Sequence, residues 1–79
     1  MIRSMTRKIN VNAIYRHFKG NTYKVITLAK DSETLEDIVV YKDVNSDKVW
    51  IRPLDEFISK VDKEKYPDIE QVYRFEEVK

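Results

Sequence analysis

The chain contains no cysteine, one glycine, two prolines and one histidine. Without cysteine it has no disulfide, no thiolate metal site and no cysteine nucleophile. The single histidine, His17, cannot form a zinc site without carboxylates or a second chain. No apolar run approaches the roughly 20 residues of a membrane-spanning helix, and the basic N-terminal residues precede no apolar core of a secretory signal. We therefore expect a cytoplasmic protein with no metal, no cofactor and no membrane partner.

The 79 residues suffice for one domain, and a domain of this size has a thin stability margin. Charge is nearly balanced overall but not along the chain. Residues 1–30 hold seven basic and no acidic side chains, whereas residues 31–79 hold eight basic and all fourteen acidic ones. Such asymmetry is typical of a basic binding face or of two halves that pair with each other. We favour the pairing.

Alternating apolar residues predict five strands, at residues 14–18, 22–30, 37–43, 48–52 and 69–78. A helix of about ten residues is predicted to begin at Pro53, because proline suits the first helical position and Leu54, Phe57, Ile58 and Val61 form one apolar stripe. We assign residues 1–10 to a flexible N-terminal tail and residues 11–79 to a single domain.

The order β-β-β-β-α-β predicts a mainly β fold: a small, SH3-like, partly open barrel of about five antiparallel strands with one short helix. The alternative is an α+β sheet with the helix across one face. Gly20, the only glycine, is expected to have a positive φ in the turn after the first strand. We expect Phe18, Phe57 and Trp50 to be mostly buried, and the second strand, apolar on both sides, to be covered on both faces or bent between layers.

Several segments resemble a small bacterial family, domain of unknown function 1653. They are YRHFKGNTYKV at residues 15–25, SET at 32–34, VVY at 39–41, WIRP at 50–53 and, weakly, Arg74-Phe75. The resemblance covers roughly residues 13–75 and implies an SH3-type fold with no established activity. One departure is Asp31, where the family commonly has a histidine before Ser-Glu-Thr.

Arg52 is the most informative candidate for a binding residue. A guanidinium at the end of a strand can grip a carboxylate or phosphate through two hydrogen bonds. The alternative, which we favour, is a buried ion pair with Glu33 that fixes the acidic loop.

Two other constellations are weaker. His17, Ser32 and Glu33 contain the side-chain types of a hydrolytic triad, but no nucleophile elbow surrounds Ser32. Glu33, Glu36 and Asp37 could bind a hard cation, but they lack the spacing and glycine of a calcium loop. We favour a solvated polar loop for both groups.

Three functional hypotheses remain for this chain of unknown function. The first is a non-enzymatic module that binds a protein segment or other partner through a groove lined by Tyr15, His17, Glu33, Tyr41, Trp50 and Arg52. The second is a small-molecule or nucleotide site at the same place, with an anion held by Arg52. The third, a hydrolase, is the weakest. Nucleic acid is disfavoured as a partner, because acidic residues directly follow the basic strands and would repel phosphates.

Overall fold

The structure, a computed structural model, describes residues 8–78. Its elements are β1 (Ile14–His17), β2 (Thr22–Lys30), β3 (Asp37–Asp43), β4 (Val49–Pro53), α1 (Leu54–Phe57) and β5 (Phe75–Glu77). They form one antiparallel sheet in the order β4-β3-β2-β1-β5. The predicted mainly β fold of five antiparallel strands and one short helix is therefore confirmed. The sheet is not closed into a barrel, because β4 and β5 lie at opposite edges.

The core covers one face of the sheet. Tyr15, Val25, Val39, Tyr41 and Phe75 come from four strands, and Phe57 of α1 packs over them. Phe57 and Phe75 are stacked, with ring centroids 4.0 Å apart and planes 5° apart. Ile9 also belongs to this cluster, although it falls on the tail side of the predicted boundary. Residues 1–7 of the predicted tail lie outside the described residues.

The second strand bends. The register between β2 and β3 shifts between Val25 and Thr27, which leaves Ile26 as the extra residue of a β-bulge. Ile26 and Leu28 are exposed, so β2 is not covered on both faces by the described residues. The expected double covering is therefore wrong, and β2 carries a β-bulge within a single sheet rather than passing between two layers.

The predicted ten-residue helix is wrong, because α1 ends at Phe57. The Ser59 hydroxyl donates a hydrogen bond of 2.6 Å to the Glu56 carbonyl, a side-chain bond that competes with a further helical turn. The chain then extends, and the Val61 N–H binds the Val72 carbonyl at 2.8 Å. Val61 is still buried, so the apolar stripe predicts burial correctly although the helix does not continue.

The last strand is also shorter than residues 69–78. The N–H groups of Val72 and Tyr73 each donate to the Glu76 carboxylate at 3.1 Å, so the chain loops before β5 begins. The Arg74 N–H binds the Ser59 carbonyl at 2.8 Å. Residues 69–74 are thus directed towards the segment after α1, and only β5 pairs with β1.

Burial of Trp50 is another expectation that the structure corrects. Phe57 is fully buried, as predicted, and Phe18 is half-buried, but 46% of Trp50 is exposed. Trp50 lies opposite Tyr41 in the β3–β4 ladder, on the edge strand of the sheet. An edge strand has a neighbour on one side only, so the indole is covered less than a side chain in the middle of the sheet.

We expect Phe57→Ala to destabilise the domain by about 3–5 kcal/mol, because it removes a fully buried ring from a small core. Trp50→Ala should cost about 1 kcal/mol, since much of the ring is already in water. Chemical denaturation of both variants measures the difference. A cost for Trp50→Ala equal to that for Phe57→Ala would contradict the exposed position of the indole.

Gly20 has a φ of +108°, as predicted, and a Cβ added there would meet no atom within 4 Å. The cost of Gly20→Ala should therefore be backbone strain alone, about 1 kcal/mol or more. Asn45→Ala, in the turn between β3 and β4, is the control and should change stability by less than about 0.5 kcal/mol. Equal unfolding midpoints for the two variants would argue against strain at Gly20.

Candidate functional site

A concave pocket lies beside the core, where β1, β4 and the start of β5 meet the segment after α1. Its volume is about 410 Å³. The lining contains four basic side chains, one carboxylate, one imidazole, one amide and five other aromatic rings: Lys19, Arg52, Lys65, Arg74, Asp62, His17, Asn21, Phe18, Tyr23, Tyr41, Tyr66 and Phe75. The pocket therefore combines an excess of positive charge with aromatic walls.

Arg52 reaches the pocket from β4. The β3–β4 register places Arg52 opposite Val39, on the face that carries Tyr41. Its Nε donates a hydrogen bond of 3.2 Å to the Tyr41 hydroxyl, and its guanidinium carbon lies 5.6 Å from the centroid of the Phe75 ring. Its Nη1 contacts the exposed Glu56 carboxylate at 3.4 Å. The side chain, 29% exposed, is thus fixed along its stem while its terminal nitrogens lie at the pocket surface.

Arg74 is held in the same manner from the opposite edge of the sheet. Its Nε donates to the Ser59 hydroxyl at 3.2 Å, and its backbone N–H binds the carbonyl of the same serine. Its carbonyl accepts the N–H of Phe18 at 3.0 Å, which anchors the residue to the end of β1. Within residues 8–78 no carboxylate lies within ion-pair distance of Arg74.

His17 lies between the core and the two arginines. Its ring stacks on Phe18 at 4.4 Å and meets the edge of Phe75 at 4.9 Å. Burial and then the positive charges of Arg52, Arg74 and Lys19 lower the pKa of His17 from 6.5 to about 4. Its Nδ1 accepts the N–H of Lys19 at 3.1 Å, so the neutral ring carries its proton on Nε2. At neutral pH His17 is an uncharged hydrogen-bond donor in a basic pocket.

The outer wall of the pocket is aromatic. Phe18 and Tyr66 have ring centroids 4.9 Å apart, and the Nζ of Lys19 lies 5.9 Å from the first and 5.5 Å from the second. Asp62 positions the loop that carries Tyr66: its carboxylate accepts the N–H of Lys65 at 3.3 Å, and its carbonyl accepts the N–H of Tyr66 at 2.9 Å. The loop therefore brings the Tyr66 ring and Lys65 into the lining of the pocket.

Three of the six residues predicted for the site line this pocket, namely His17, Tyr41 and Arg52. Tyr15 is buried in the core, where its hydroxyl accepts the N–H of Asn10 at 2.8 Å. Trp50 and Glu33 are exposed and do not line the pocket.

The predicted pairing of Arg52 with Glu33 is wrong, because Arg52 pairs with Glu56, four residues later. The N–H of Glu33 instead donates to the Asp31 carboxylate at 2.8 Å, within a local turn of the loop between β2 and β3. Ser32 and Glu33 do not join His17 in the pocket lining. Asp37 pairs with Lys30 at 2.8 Å, and among the described residues no group of three histidine or acidic side chains could hold a metal ion.

Sequence reasoning missed Arg74, Lys65 and Tyr66. Arg74 falls within residues 69–78, which were predicted to form a regular strand. Lys65 and Tyr66 fall within a segment that was predicted to be a polar connection. One signal could have found Arg74: it is a lone cation between two aromatic residues, Tyr73 and Phe75. The position of Lys65 and Tyr66 depends on the shortened helix, which periodicity did not predict.

The lowered pKa of His17 predicts an acid-sensitive contribution to stability. The folded state resists protonation of His17 until the pH approaches 4, whereas the unfolded chain takes up the proton near pH 6.5. Stability should therefore fall as the pH decreases through this window. We expect His17→Asn to lose less unfolding free energy than the parent between pH 7 and pH 5 in phosphate-free buffer. An imidazole pKa of 6.5 or above by NMR would contradict the desolvated position.

A family model described as Protein of unknown function (DUF1653) matches residues 13–77. The chain belongs to this family, which confirms the resemblance seen in its segments. No curated protein and no solved structure matches the chain. In the described part of the chain, no helix has the length and apolar character needed to cross a membrane.

Proposed function

We propose that this domain is a non-enzymatic binding module that holds the anionic group of a small-molecule ligand between Arg52 and Arg74. The observation that carries the proposal is the way both guanidiniums are fixed. Each donates its Nε–H to a hydroxyl, that of Tyr41 or that of Ser59. This orientation leaves terminal N–H groups for a ligand and lowers the ordering cost of binding.

The charges of the pocket support an anion. Lys19, Arg52, Lys65 and Arg74 face one carboxylate, Asp62, among the lining residues. Asp62 already accepts two backbone N–H groups, at 3.0 Å and 3.3 Å. Like charges gathered in a half-buried place repel one another, and a bound anion would replace that repulsion with charge-assisted hydrogen bonds.

Size favours a small molecule over a protein segment. A volume of about 410 Å³ lies within the range of small-molecule pockets, about 300–1,000 Å³. The groove predicted from the sequence would need Tyr15 and Trp50, but one is buried and the other lies outside the pocket. The protein-segment hypothesis keeps one observation in its favour, the exposed Trp50 and Ile51 on edge strand β4.

Binding is favoured over catalysis for two reasons. A general base works best with a pKa near the operating pH, and His17, with a pKa of about 4 and its Nδ1 occupied, is far from that condition. The pocket lining within the described residues also contains no serine, threonine or cysteine to act as a nucleophile.

Titration with inorganic phosphate, followed by NMR, tests the proposal. We expect saturable shifts at the His17 ring and at the Arg74 amide. Arg52→Gln and Arg74→Gln should each weaken binding by about tenfold or more, because each removes charge-assisted hydrogen bonds. Trp50→Ala should leave the affinity unchanged.

The matched control is Arg16→Gln, which removes the same charge from an exposed position on β1 outside the pocket. Its affinity should stay within about twofold of the parent, since exposed charges are screened by salt. Equal weakening by Arg16→Gln would show that only the overall charge matters. Absence of any shift at His17 would refute an anion site in the pocket.

A further inference from the structure

The anion between the two arginines would fill only part of a pocket of about 410 Å³. The lining also contains the rings of Phe18 and Tyr66, whose centroids lie 4.9 Å apart. Both rings are half-buried and reach the lining rather than being consumed by the core. A ligand that used the whole pocket would therefore extend from a charged group to a group that packs on aromatic faces.

We infer that the ligand is a free nucleoside monophosphate: a phosphate monoester between Arg52 and Arg74, joined to a flat heteroaromatic ring that packs against Phe18 and Tyr66. This inference rests on the proposed anion-binding function and specifies its ligand class.

The donors favour a phosphate over a carboxylate. Arg52 uses its Nε–H for Tyr41 and contacts Glu56 through Nη1, and Arg74 uses its Nε–H for Ser59. Both retain further N–H groups on their terminal nitrogens, and His17 adds the Nε2–H. A carboxylate has two oxygens to accept these hydrogen bonds, whereas a phosphate monoester has three and carries close to two negative charges at neutral pH. The pocket's excess of cations matches that charge better.

The aromatic part of the lining favours a planar, polar ring. Aromatic side chains bind flat rings by stacking, and such contacts tolerate different bases. The Oδ1 of Asn21 has no hydrogen-bond donor within the described residues, since its Nδ2 makes the contact of that side chain, with the Tyr23 hydroxyl at 3.4 Å. It can accept a hydrogen bond from an exocyclic amino group, which a simple hydrocarbon ring would not provide.

The experiment compares four probes by calorimetry: adenosine 5′-monophosphate, ribose 5-phosphate, inorganic phosphate and adenosine. The inference expects the nucleotide to bind at least tenfold tighter than ribose 5-phosphate or phosphate, and adenosine to bind weakest. Tyr66→Leu should remove most of the nucleotide's advantage and leave the phosphate affinity within twofold. Trp50→Leu is the control, because it removes an exposed ring outside the pocket.

The outcomes separate this inference from the proposed function. If the nucleotide, ribose 5-phosphate and phosphate bind equally well, the ring assignment is overturned while the anion site stands. If none of the phosphates binds, both fail. An oligonucleotide with a 5′-phosphate serves as a further arm: binding no tighter than the free nucleotide supports the inference, and tighter binding that requires the phosphate overturns the free nucleotide in favour of a strand end.

Discussion

The structure depends on the position of one ring, that of Phe75. One side of it stacks on Phe57 at 4.0 Å, and the guanidinium of Arg52 lies 5.6 Å from its centroid. Tyr41 and His17 approach as further partners at 5.5 Å and 4.9 Å. The same side chain therefore closes the apolar core and forms the floor of the charged pocket. Core packing and pocket geometry cannot be changed independently at this residue.

This shared ring explains the electrostatics of His17. A histidine at the end of a strand is commonly solvated and titrates near its ordinary pKa. Here the neighbouring rings remove water from the imidazole, and Arg52 and Arg74 are positioned by the core and by the loop before β5. Desolvation and like charge act in the same direction, so the ring stays neutral. A pocket results that is lined by a neutral donor and two arginines, without a protonated histidine adding to their repulsion.

Local sequence patterns predicted those parts of the fold that local interactions determine. The bounds of β2 and β3 follow from dense β-branched alternation, and Gly20 follows from the need for a positive φ in a tight turn. The end of α1 and the start of β5 were predicted wrongly, because polar side chains within the predicted elements bond to the backbone there. The Ser59 hydroxyl donates a hydrogen bond to the Glu56 carbonyl. The Glu76 carboxylate accepts hydrogen bonds from the N–H groups of Val72 and Tyr73, which a longer strand would have used for pairing. The periodicity of apolar residues predicts which residues are buried, but it does not predict hydrogen bonds from side chains to the backbone.

The same reason explains what the sequence revealed of the site. Arg52 was predicted as a candidate because it ends a strand, and it lines the pocket. Its acidic partner was predicted wrongly, from the charge of a loop rather than from the i,i+4 spacing that brings Glu56 to it. The positions of Arg74 and Tyr66 could not be predicted from local patterns, because they join His17 in the pocket from segments distant in sequence. Arg52 and Arg74 line the same pocket as the desolvated imidazole of His17, and like charges at such a place repel one another. A ligand that binds only the folded state and neutralises these charges would stabilise the domain by mass action. Phe75 lines the pocket and stacks on Phe57 within the core, so the shape of the pocket and the integrity of the fold depend on the same contact.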